Sequence, residues 1–190
     1  MAGFTHGVRL ATHLFNAMSP WTGRDPGMVG AVLGSPKVAC GLIVDSIHVH
    51  DASIALAKKL KEQMCFLVTD AVAPVGTSLE RFTFGGKTVY VRDDKCVSPD
   101  GTLGGSLLTL NAAIRNCVRR VGLTLLEAVR MATLYPARAL GLERCLGKVQ
   151  PGYEASLAIF DSGFRVRAVV DRGKLHLNPV ASPHELEPHA

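Results

Sequence analysis

Val38-Ala39-Cys40-Gly41-Leu42-Ile43-Val44-Asp45 and Cys65-Phe66-Leu67-Val68-Thr69-Asp70 are two short apolar runs, each closed by an aspartate, with an amphipathic stretch between them. In that stretch Ile54, Ala57, Leu60 and Met64 recur every three or four residues, and Lys58, Lys59, Lys61 and Glu62 fall largely opposite. A helical period between two continuous apolar runs predicts strand, crossover helix, strand, with the strands parallel and buried on both faces. On the N-terminal side, Val8-Arg9-Leu10-Ala11-Thr12-His13-Leu14 reads as another such strand. Asp25-Pro26 then offers an N-cap followed by proline at the first helical position, opening a helix through Leu33. The beginning of the chain is therefore α/β.

On the C-terminal side the pattern changes. Phe82-Thr83-Phe84, the Gly85-Gly86 turn, Thr88-Val89-Tyr90-Val91 and Lys95-Cys96-Val97 predict a small antiparallel excursion. After the glycine-rich Gly101 to Ser106, helices are expected over Leu108 to Val121 and Leu125 to Leu134, with Pro136 starting a third short one. Beyond Pro151-Gly152, Leu157 to Phe160, Val166 to Val170 and Lys174 to Leu177 are β-type segments of a separate small sheet. The expected division is residues 1–145, residues 146–178, and a tail over 179–190 that frays.

The chain has 190 residues, 47% hydrophobic and 19% charged, which is the composition of a folded domain with a real core. No apolar run reaches the roughly 18 residues needed to span a bilayer, and no secretory h-region opens the sequence, so no membrane partner is expected. The net charge of +5 is spread along the chain rather than gathered into a block, which argues against nucleic acid. Five cysteines form no C-x-x-C pair and read as reduced, cytoplasmic thiols.

Each of the first three expected strands ends in, or just before, a residue able to bind metal or move a proton: His13, then Asp45 with His48, then Asp70. Parallel strands joined by right-handed crossovers all point the same way, so their C-terminal ends converge on one rim. The competing reading of each residue alone is ordinary: Asp45 and Asp70 as loop caps, His13 as a hydrogen-bonded core histidine.

Together, Thr12-His13-Leu14-Phe15-Asn16-Ala17-Met18, Thr22-Gly23-Arg24-Asp25-Pro26-Gly27, Asp45-Ser46-Ile47-His48, Val68-Thr69-Asp70-Ala71 and Gly101-Thr102-Leu103-Gly104-Gly105-Ser106 resemble the N-acetylglucosamine-6-phosphate deacetylases, a family of metal-dependent amidohydrolases. The resemblance continues through Met131-Ala132-Thr133-Leu134-Tyr135-Pro136-Ala137 and Leu146-Gly147 to Phe160-Asp161. It implies an incomplete (β/α)8 TIM-like barrel over residues 1–145, followed by strands of a small β-sandwich domain. A complete barrel needs roughly 250 residues.

The resemblance further implies that His13 is a direct ligand of a divalent metal cation, zinc or iron, and that Asp70 is the catalytic aspartate. Arg24 matches the phosphate-binding arginine, offered across the interface of a homodimer in the complete enzyme. Asn16, Ala17, His48, Leu103, Gly104 and Gly105 match contacts to the phosphorylated amino sugar, while His50 is expected to be a surface residue. Glycines at 104 and 105 are expected to leave free N–H groups ahead of a helix. Two departures stand out: Ser46 where the family usually has glycine, and Gly104 where it usually has serine. Further metal ligands of the family, a glutamate and a histidine, have no match, so the isolated chain is expected to bind metal poorly and to lack deacetylase activity. The alternatives are a non-catalytic remnant binding a phosphosugar or an intact subunit, and an amidohydrolase of other specificity, for N-acetylgalactosamine 6-phosphate or dihydroorotase-like.

Overall fold

A computed structural model describes residues 2–178. After a short helix α1 (Ala2–Thr5), three parallel strands alternate with helices: β1 (Leu10–Ala11), α2 (Gly27–Gly34), β2 (Ala39–Leu42), α3 (Asp51–Lys61) and, after one 3₁₀ turn, β3 (Cys65–Leu67). The sheet order is β1-β2-β3, with Ala11 paired to Cys40 and Cys40 to Cys65. Every residue of β2 is buried, as a central parallel strand covered on both faces requires.

All three strands are shorter than the apolar runs that predict them. The expected extents Val8–Leu14, Val38–Asp45 and Cys65–Asp70 overshoot because the backbone leaves extended geometry at the C-terminal ends. His13, Ser46 and Asp70 have φ of 38°, 62° and 52°, and such residues cannot continue a ladder. The expected Asp25 N-cap is displaced by one residue, since Pro26 is the N-cap and α2 starts at Gly27; the Asp25 carboxylate accepts the Gly27 N–H at 3.1 Å, and the Ser19 hydroxyl accepts that of Met28 at 2.7 Å.

The antiparallel excursion is present as β4 (Arg81–Phe84), β5 (Lys87–Arg92) and β6 (Lys95–Val97). Then come α4 (Leu110–Arg119), α5 (Leu125–Ala132) and α6 (Leu134–Ala139). Helix α6 starts two residues before Pro136, because a proline inside the first turn gives up only an N–H that has no intrahelical acceptor. The last sheet is β7 (Leu157–Phe160), β8 (Val166–Asp171) and β9 (Lys174–Leu177), all antiparallel. The expected fraying tail lies outside the described residues.

The core runs between the parallel sheet and its helices, with Leu14, Leu42, Ile43, Ile54, Met131 and Val32 fully buried. Helix ends are tied across it: Lys61, 4% exposed at the end of α3, donates to the carbonyls of Val32 and Ser35 where α2 stops. All five cysteines are free; the Cys40 and Cys65 sulfurs lie 4.0 Å apart on paired strands, and burial pushes the Cys117 thiol up to about 12.

Candidate active site

The C-terminal edge of the parallel sheet is built from three left-handed turns. After β1, the Leu14 N–H still reaches the Gly41 carbonyl at 2.9 Å, yet His13, Phe15 and Ala17 all have positive φ. Non-glycine residues avoid this region at a cost of roughly 1–2 kcal/mol each, and such strain gathers at functional sites. His13 is half-buried, and its Nδ1 lies 3.0 Å from the Asn16 carbonyl. With Nδ1 as donor, Nε2 carries the lone pair, as an imidazole metal ligand requires.

After β2, the Asp45 carboxylate accepts the backbone N–H groups of Ile47 and His48 at 2.9 and 2.8 Å and lies 2.6 Å from His48 Nδ1. The two side chains are 9% and 5% exposed. Asp45 therefore caps the turn and also fixes the His48 ring. Burial raises the Asp45 pKa, but the bonds from the His48 ring and the two backbone N–H groups outweigh it and hold the carboxyl below the usual aspartate value. Ser46, at φ 62°, donates from its hydroxyl to Asp51 at 2.6 Å, tying the turn to the start of α3. Glycine would suit that φ without strain. His50 is exposed and accepts the Ala52 N–H at 3.2 Å, capping α3.

After β3, Asp70 is exposed at φ 52°, and its carbonyl accepts the Ser106 N–H at 2.8 Å. Ala71 and Ser106 form a parallel bridge, which brings the glycine-rich segment alongside Asp70 as a continuation of the sheet. The expectation of free N–H groups fails at Gly104, whose N–H donates to the Cys96 carbonyl at 2.9 Å; the segment also stops short of a helix, since α4 begins at Leu110. A Cβ at Gly104 would lie 3.0 Å from Val89 Cγ2, so β5 presses directly on this residue.

His13, Asn16, His48, Asp70 and the Leu103–Gly105 segment are thus borne by adjoining turns along one edge. Arg24 is exposed in the loop between β1 and α2, where the Thr22 N–H donates to the Asp25 carbonyl at 2.7 Å. Ser106, 3% exposed, escapes sequence reasoning: its only signal is a small polar residue after two glycines. A cavity of about 810 Å³ lies elsewhere, between α4, α5 and the last sheet, and no candidate residue lines it.

Among the described residues, no three His, Cys, Asp or Glu side chains are grouped to hold a metal ion. A catalytic zinc takes three protein ligands. His13 fits as one of them, but the donor set of residues 2–178 does not by itself fit a divalent cation.

The family described as "Amidohydrolase family" matches residues 1–181. The N-acetylglucosamine-6-phosphate deacetylase of Haemophilus influenzae is 43% identical over 176 residues, which are 91% of this chain and 46% of that protein. A putative N-acetylgalactosamine-6-phosphate deacetylase of Escherichia coli (strain K12) is 38% identical over 163 residues, 86% of this chain and 98% of that protein. Among solved structures, N-acetylglucosamine-6-phosphate deacetylase from Pasteurella multocida superposes with a TM-score of 0.91 at 43% identity, covering 93% of this chain and 47% of that one. The chain spans about half the length of the Haemophilus and Pasteurella proteins.

Proposed function

The chain belongs to the amidohydrolase family, and from that premise we propose that it is the C-terminal portion of a deacetylase cleaving N-acetylglucosamine 6-phosphate to glucosamine 6-phosphate and acetate. The observation that carries this reading is the run of left-handed non-glycine residues, His13, Ser46 and Asp70, at the C-terminal ends of three adjacent parallel strands. Parallel α/β enzymes build their chemistry at this edge. Residues 1–145 are read as part of a (β/α)8 barrel and 146–178 as strands of a small β domain. The complete enzyme is read as a homodimer.

Asp70 takes a proton from the attacking water and delivers it to the departing sugar nitrogen as the C–N bond breaks. Help of this kind is worth about 10²- to 10⁴-fold in rate. The Arg24 guanidinium holds two oxygens of the substrate phosphate. His48, its ring locked by Asp45, offers Nε2 to the sugar, with Asn16, Ala17, Leu103, Gly104 and Gly105 shaping the rest of the pocket. A divalent cation, zinc or iron, is the expected cofactor; residues 2–178 offer it His13, and its other ligands belong to polypeptide outside these residues.

The galacto epimer is the second reading, favoured by the name of the Escherichia coli K12 relative, whose length this chain nearly spans. The test is acetate release from both phosphosugars by this chain, alone and co-expressed with the N-terminal half of the Haemophilus protein. The expected result is no release by the chain alone and preferential release from the gluco epimer by the assembly. A formed assembly that hydrolyses neither sugar would overturn the deacetylase reading and leave a non-catalytic binding role or a dihydroorotase-like specificity.

A further inference from the structure

We infer that Ser106 is the positioning residue of Asp70, gripping the peptide planes on both sides of it and so setting where the carboxylate points; this rests on the proton-transfer role given to Asp70 above. The two aspartates differ in how they are held. Asp45 is aimed by three hydrogen bonds to its own carboxylate. Among the described residues, no hydrogen bond reaches the Asp70 carboxylate, so what is held is its backbone, which sets the direction of the Cα–Cβ bond that carries it. That backbone stands at φ 52°, a conformation that an unconstrained aspartate leaves readily.

The constraint comes from one residue far along the chain. The Ser106 hydroxyl donates to the Thr69 carbonyl, which belongs to the peptide plane entering Asp70. The Ser106 N–H donates to the Asp70 carbonyl at 2.8 Å, in the plane leaving it, and the Val72 N–H returns to the Ser106 carbonyl at 3.1 Å. Holding both planes fixes φ and ψ of the residue between them. The hydroxyl is itself oriented by the Leu108 N–H at 3.0 Å. With Ser106 only 3% exposed, these bonds are shielded from competing water.

Gly105 makes the approach possible. At φ 90°, a Cβ there would lie 2.4 Å from Val72 Cγ1 and 3.1 Å from the Asp70 carbonyl oxygen, so any side chain would push Ser106 away from the turn. Replacing Ser106 by alanine keeps both backbone bonds and removes only the hydroxyl. The peptide plane entering Asp70 then loses its hydrogen bond to the Ser106 hydroxyl while the bridge survives. The substitution thus separates aim from fold.

Two measurements test this. In the isolated chain, the ¹³Cα and ¹³Cβ shifts of Asp70 report its left-handed φ; in Ser106→Ala they move toward extended values and in Ser106→Thr they return. Asp93 and Asp94, also at positive φ but in the β5–β6 turn, stay unchanged and serve as controls. In the assembly with the Haemophilus N-terminal half, Ser106→Ala lowers kcat by up to about 100-fold with KM nearly unchanged. Asp70 shifts indifferent to Ser106→Ala overturn the inference, whatever the chain catalyses. Shifts that move while Asp70→Asn leaves acetate release intact overturn instead the role given to Asp70.

Discussion

Ser46 accepts backbone strain and offsets it with a hydrogen bond to Asp51. Relief of a left-handed φ and loss of one hydrogen bond are each worth about 1 kcal/mol, so Ser46→Gly is expected to be nearly neutral. Ser46→Ala keeps the strain and loses the bond, and urea denaturation should show it less stable than the glycine variant by roughly 1 kcal/mol. Asp45 gives a pH dependence of known sign. Its carboxyl is held below the unfolded value near 3.9, so its bonds contribute full stability above that pH and lose it as the pH falls through the depressed folded value. Asp45→Asn should therefore flatten the loss of stability below about pH 4, measured by urea midpoints across the acid range. Asp45 and Asp70 are legible in the sequence because each closes an apolar run. Ser106 is not, because its bonds reach 37 positions back and no local pattern encodes them.

The βαβ units are legible because burial on both faces writes continuous apolar runs, and the amphipathic α3 writes its own period. What the sequence hides is where strands stop: Ile43, Val44 and Val68 look like strand but lie past the last ladder pair. The β4–β6 excursion is equally clear from its alternation and Gly85-Gly86, yet its packing is not. Val89, 2% exposed, sits over Gly104, and so the excursion shapes the segment next to Asp70. Gly104→Ser should destabilise the chain by roughly 1–3 kcal/mol through overpacking. The double variant with Val89→Ala should recover most of that loss. A thermal-melt double-mutant cycle with purely additive effects would show that the two positions do not touch.

At the scale of the whole molecule, apolar surface is left uncovered among the described residues. Leu126, Val149 and Ile159 line the 810 Å³ cavity beside the last sheet and are 59%, 86% and 48% exposed, and Leu10 on β1 is 41% exposed. Surfaces of this kind favour association. Sedimentation should show the 190-residue chain self-associating, and a defined complex replacing those species when the Haemophilus N-terminal half is supplied. Hydrolysis at the rim of the parallel strands is tested most directly by acetate release from N-acetylglucosamine 6-phosphate under single-turnover conditions, in that complex, comparing wild type with Asp70→Asn. The expected result is a rate at least about 100-fold lower for the variant at unchanged phosphosugar affinity; equal rates would contradict it.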